Sequence, residues 1–199
     1  MTRAFALLFA AVTLLAGIGH ARAQSFGFDM RDIMGGGPNF RGGGPNFSVG
    51  ASSPIPRQTV SLASNYAPGT ILINTAERRL YLVLANGQAL RYGIGVGRDG
   101  FRWAGTHRIS AKKEWPSWTP PSQMLARRPD LPRHMAGGID NPLGARAMYL
   151  GSTLYRIHGS NEPETIGQAV SSGCFRMSNE DVTDLYSRVS IGTPVVVKN

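Results

Sequence analysis

Residues 78–97 read "RRLYLVLANGQALRYGIGVG", and this stretch limits the possible folds more than any other. Leu80, Leu82 and Leu84 point one way along an extended chain, while Tyr81, Val83 and Ala85 point the other. Asn86-Gly87 then supplies the two adjacent positive-φ residues of a tight hairpin turn. The return strand sends Leu90, Tyr92, Ile94 and Val96 to one face. Gly93, Gly95 and Gly97 fall on the other face, where missing side chains leave room for a second sheet or a substrate. The run "GIGVG" is no dinucleotide fingerprint, because its spacing is wrong and no helix follows.

Further short strands are expected in "TILINT", "THRISAK", "RAMYLG", "TLYRIHG" and the closing "TPVVVK". One helix stands near the end. Ser178 is placed to cap it, Asp181 sits three residues on, and Val182, Leu185, Tyr186 and Val189 form its apolar stripe. Gly192 and Pro194 stop it. Short strands joined by turns, with a few short helices, predict a mainly β chain: one β-sandwich or barrel-like domain over residues 69–198, long enough for a single core.

The residues before it have a different texture. The opening "MTRAFALLFAAVTLLAGIGHARAQ" has a positive start at Arg3, an apolar run too short to span a bilayer, and a small-x-small site at Ala21-Arg22-Ala23. Residues 1–23 are therefore expected to be a cleaved signal peptide, and the mature chain to act outside the cytoplasm without stable membrane insertion. Residues 24–68 contain "GGGPNF" twice and then "ASSPIPRQ". Such Gly/Pro density costs ordering entropy and offers little to bury, so a disordered tether is expected there. The formal charge of +9 falls to +7 once Arg3 and Arg22 are removed. A basic exported protein suits anionic polymers such as wall peptides or teichoic acids. The basic residues are scattered and carry no nucleic-acid-binding signature, which argues against DNA or RNA as partner. No His/Cys/Asp/Glu cluster has metal-ligand spacing, and no metal or other cofactor is expected.

The chain holds a single cysteine, Cys174, so no internal disulfide can staple the fold. A lone thiol is often only a small buried hydrophobe. Its context here is more pointed: in "YRIHGSNEPETIGQAVSSGCFRM", His158 ends an alternating strand 16 residues earlier, and a nearby imidazole turns a thiol into a nucleophile. Gly173 lets backbone approach a substrate and leaves the amides of Gly173 and Cys174 open to an oxyanion.

These residues resemble the L,D-transpeptidase catalytic domain family, often called YkuD-like. The matching positions are His158-Gly159-Ser160, Ile166-Gly167 and Ser171-Ser172-Gly173-Cys174-Phe175-Arg176-Met177, and the likeness runs from Gly69 to Lys198. Ser160 stands where threonine is frequent in the family, and Phe175 where Ile or Val is usual. The resemblance implies Cys174 as nucleophile and His158 as general acid/base, with the Gly159 carbonyl holding the imidazole tautomer. Ser171 is expected to hydrogen-bond within the loop. Arg176 is expected to receive a substrate carboxylate or to organise the cysteine loop through a salt bridge. The implied partners are peptidoglycan stem peptides, with envelope proteins as further acyl acceptors, in the periplasm or cell wall. The rival readings are a carboxypeptidase using the same dyad, a non-catalytic wall-binding domain, and a redox role for the thiol. His107 is expected to be structural or at the surface. His134, in "LPRHMAGG", lies in a long loop placed to overhang the site, and "KKEWPSWTPP" reads either as a rigid hydrophobic loop or, as the resemblance implies, as part of a lid.

Overall fold

The computed structural model describes residues 52–199, so the expected signal peptide and the GGGPNF repeats lie outside the described residues. The predicted hairpin is present as β3 (Arg79–Val83) and β4 (Gln88–Gly93), with Asn86 at φ 58° and Gly87 at φ 67° forming the turn. Both φ values are positive, as the tight turn requires. Leu80 and Leu82 of β3 and Tyr92 of β4 are buried, so the alternation delivers an apolar face to the core.

Strands β1 (Gln58–Ser61), β2 (Ile71–Asn74), β6 (Gly105–Glu114), β7 (Arg146–Leu150), β8 (Arg156–His158), β10 (Phe175–Arg176) and β11 (Pro194–Lys198) join the hairpin in one hydrogen-bonded series, β1-β4-β3-β2-β11-β6-β7-β8-β10. Strand β6 belongs to two sheets. Residues 105–108 pair with β11, residues 109–114 pair with β7, and a register irregularity lies between Ile109 and Ala111. A bulge bends and twists a strand, which lets the series fold back on itself as a sandwich. Just past β4, Gly95 pairs with Arg176 of β10 through two 2.9 Å backbone hydrogen bonds, so the far end of the series returns to the hairpin. A short ribbon of β5 (Val96–Gly97) and β9 (Ala169–Ser171) lies beside this junction. The core gathers Ile71, Ile73, Leu80 and Tyr92 from one side and Met148, Ile157 and Phe175 from the other.

Helix α1 (Ser122–Arg127) lies in the long connection between β6 and β7. The predicted C-terminal helix is α2 (Asn179–Arg188): the Asp181 N–H donates to Ser178 Oγ at 3.1 Å, and Val182 and Leu185 are fully buried. Among the described residues no helix is long and apolar enough to cross a membrane.

One boundary differs from expectation. The tether anticipated over residues 24–68 is ordered in its last part. Strand β1 pairs with β4 from Gln58↔Arg91 to Ser61↔Gln88, and Ile55 fills the space left by Gly93 and Gly167. Arg57 reaches Asp184 at 3.2 Å and Asp181 at 3.4 Å. The local sequence has too few apolar groups to signal a strand; it is the exposed edge of β4 and the glycine hollows that hold it.

Candidate active site

Strand β10 runs parallel to β8, with Phe175 beside Ile157 and Arg176 beside His158, so Cys174 falls opposite Arg156. Side chains alternate along both strands. Ile157 and Phe175 face the core and are buried, while Arg156, His158, Cys174 and Arg176 share the other face. On β7 the neighbours are Ala147, beside His158, and Tyr149, beside Arg156. Ala147 leaves space for the imidazole. Parallel pairing thus brings together two residues that are distant in sequence, with His158 diagonal to Cys174.

The His158 ring is buried, and its Nδ1 donates to the Gly159 carbonyl at 2.6 Å. This fixes the tautomer with Nε2 as the acceptor. Burial, together with the Arg176 cation, pulls the His158 pKa down to about 3 against the raising effect of the Gly159 bond, and Arg156 adds a smaller lowering. Its imidazole is therefore neutral at neutral pH. Cys174 is half-buried, and its Sγ donates to the Leu154 carbonyl at 3.7 Å; the described residues show no hydrogen bond between it and His158. Burial pushes the thiol pKa up, and the charge and hydrogen bonding of Arg156, followed by the charge of Arg176, oppose this. The resting pair is a neutral thiol and a neutral base rather than a thiolate and an imidazolium.

The loop bearing Cys174 is held from inside and outside. Ser171 Oγ donates to the Cys174 carbonyl at 2.6 Å and accepts from the Gly173 N–H at 3.1 Å. The expectation that the Gly173 amide faces an oxyanion is therefore corrected, because Ser171 occupies it. No protein acceptor is bonded to the Cys174 N–H among the described residues, which leaves that amide as the available donor. Gly173 has φ +107°, and a Cβ there would lie 2.7 Å from the Tyr155 ring, so only glycine fits. From outside, Trp103 Nε1 donates to the Gly173 carbonyl at 2.8 Å, and the indole stacks on Tyr155 with centroids 4.4 Å apart.

Of the two roles expected for Arg176, the structure shows the salt bridge. Its guanidinium is buried and bonded to the buried Glu162 carboxylate at 2.8 Å, so it is committed to the fold and not presented to a substrate. This ion pair ties the loop after His158 to the strand after Cys174. The cation that does sit beside the sulfur is Arg156, half-buried and over the Tyr149 ring at 5.1 Å. Sequence reading missed Arg156, Glu162, Trp103 and Tyr155. Only Arg156 left a signal, two residues before His158 and hence on the same strand face.

The connection from β6 to β7 packs Trp118, Leu131 and Leu143 into a small cluster of its own. Its end meets the His158 loop, where Asn161 Nδ2 donates to the Asp140 carbonyl at 3.3 Å. His134 lies within this connection, 3.1 Å from the Thr119 hydroxyl. His107 is half-buried on β6, edge-on to Trp103 at 5.3 Å between centroids. A cavity of about 900 Å³ lies beside the ribbon of β5 and β9, lined in part by Arg78, Arg98, Arg102 and Arg127.

Comparison with known proteins agrees with this architecture. The family model for the L,D-transpeptidase catalytic domain, YkuD, matches residues 68–197. The chain is 40% identical over 134 residues to a probable L,D-transpeptidase, YbiS, of Escherichia coli K12, covering 63% of this chain and 43% of the relative. It is 36% identical over 157 residues to the probable L,D-transpeptidase ErfK/SrfK of the same organism, covering 74% of this chain and 49% of the relative. The chain thus spans less than half the length of these curated relatives. Among solved structures, L,D-transpeptidase 3 of Mycobacterium tuberculosis superposes with a TM-score of 0.54 at 16% identity, covering 65% of this chain and 60% of that one, a likeness of fold. A Brucella melitensis structure titled as a probable carnitine operon oxidoreductase is 48% identical with a TM-score of 0.50, covering 74% of this chain and 96% of that one. With the family match running from ahead of β2 into β11 and including Cys174 and His158, the chain belongs to the YkuD family of L,D-transpeptidase catalytic domains.

Proposed function

We propose that this protein is an exported cysteine L,D-transpeptidase acting on peptidoglycan tetrapeptide stems. The observation that carries the reading is a neutral imidazole with Nδ1 tied to the Gly159 carbonyl, on the same sheet face as the part-exposed Cys174. Catalysis begins when the sulfur leaves the Leu154 carbonyl and turns to Nε2; such contacts often tighten only once substrate is bound. As Sγ attacks the carbonyl carbon of the third stem residue, its proton passes to Nε2 of His158. The Cys174 N–H stabilises the developing oxyanion. The carbon–nitrogen bond to the fourth residue then breaks, Nε2–H protonates the departing amine, and a thioester remains. An incoming amine loses its proton to Nε2 and displaces the sulfur, giving an amide and restoring the thiol. A second stem as acceptor gives a 3→3 cross-link, an envelope protein gives attachment, and water gives hydrolysis. Leader cleavage before residue 24 would place this chemistry in the periplasm or cell wall.

The oxidoreductase title of the Brucella relative does not favour a second reading. The glycine run that would have to cradle a dinucleotide is covered here by Ile55, Arg176 and Phe101, and no helix follows it. Intact-mass measurement with a disaccharide-tetrapeptide tests the proposal. A covalent adduct and release of the fourth residue are expected, both abolished by Cys174→Ala. Unchanged turnover in that variant would refute the reading, and cross-linked or hydrolysed product separates transfer from hydrolysis.

A further inference from the structure

The reading of Cys174 as an acyl acceptor leaves a charged group beside it without a task. Arg156 stands opposite Cys174 across the β8–β10 pair and faces the same way. Its Nε is buried and makes no hydrogen bond, whereas most buried nitrogens of this kind find an acceptor. Among the described residues no carboxylate is paired with it, in contrast with Arg57, Arg146, Arg176 and Arg188. Its guanidinium is nevertheless held in place, lying over the Tyr149 ring at 5.1 Å. Tyr149 is itself the register partner of Arg156 on β7. A planar cation braced on an aromatic face, with no carboxylate partner among the described residues, is preorganised for a bidentate carboxylate.

Resting on the function proposed above, we propose that Arg156 forms a carboxylate subsite that reads the free end of the donor stem. In a tetrapeptide donor the scissile carbonyl belongs to the third residue, and the fourth carries the terminal carboxylate. That carboxylate lies only one residue beyond the carbon that Cys174 attacks. A cation one strand away from the sulfur is suitably placed to hold it. The subsite would select stems that end one residue past the reacting bond, because an added residue moves the charge away and replaces it with a neutral amide. It also accounts for the assignment of Arg176 to Glu162: the arginine next to the nucleophile is committed to structure, and the one across from it is available to substrate.

The test is equilibrium binding to the full chain carrying Cys174→Ala, which removes turnover from the readout. Two probes are compared: the disaccharide-tetrapeptide with a free terminal carboxylate, and the same molecule as its terminal carboxamide. Amidation is expected to weaken binding roughly ten- to a hundredfold when Arg156 is present. Adding Arg156→Gln should bring the acid down to the level of the amide and leave the amide unchanged. Arg156→Lys, which keeps the charge but not the fork, should fall between. An amidation penalty that is equal with and without Arg156, or absent with it, would overturn the subsite. Acylation by the unmutated protein is measured separately, so failure of the transpeptidase reading and failure of the subsite give different results. A melting curve for each variant guards against a loss caused by unfolding.

Discussion

The cysteine loop and the long connection between β6 and β7 border the same residues but are built differently. Residues 171–177 are tied into the main core: Phe175 and Met177 are buried there, Trp103 clamps Gly173, and Arg176 is locked to Glu162. Residues 115–143 instead surround a separate cluster of Trp118, Leu131 and Leu143, and α1 contributes no buried residue and has no side-chain cap. One region is continuous with the main core and the other packs on a small cluster of its own, so the two differ in how firmly they are anchored.

The largest effect is expected where the loop meets the core. Phe175→Ala should cost about 4 kcal/mol of global stability, since Phe-to-Ala changes in packed cores typically cost 3–5; urea unfolding measures it. A loss near that for a surface site would mean that the loop is not anchored as described. Next comes Glu162→Gln, which leaves the Arg176 guanidinium buried beside a neutral amide. About 3 kcal/mol is expected, with acylation by Cys174 falling as the loop loosens. Wild-type stability in this variant would remove the ion pair from the comparison. The smallest effect is reserved for the connection. Trp118→Ala should change global stability by less than about 1 kcal/mol while raising proteolysis within residues 115–143 several-fold. If instead it lowers the main transition as much as Phe175→Ala does, the two regions unfold as one and the contrast fails.

Local chemistry made much of this fold legible in the sequence. Asn86-Gly87 announced the hairpin and Ser178 announced α2, because in each case one or two residues carry the backbone requirement themselves. The family motif likewise pointed to Cys174 and His158. What stayed hidden depends on partners far along the chain. Strand β1 exists because β4 has an open edge, and nothing in "PRQTV" states that. Glu162 reads as one polar residue in a polar loop until Arg176 is seen against it. Arg156 signals only that it shares a strand face with His158, until the β8–β10 register sets it opposite the sulfur. Gly173 was recognised as necessary, but for the wrong partner: its amide serves Ser171, and its missing side chain makes way for Tyr155.

The docking of Ile55, Arg57 and β1 onto the domain has a mechanical consequence. Any tension arriving from the upstream chain would meet Ile55 in its hollow first, then the Arg57 bridges to α2, and then the four-residue ladder with β4. These contacts can peel one after another while the strands bearing Cys174 and His158 keep their pairing. They would act as a fuse, releasing residues 55–61 under load before Cys174 and His158 are pulled out of line.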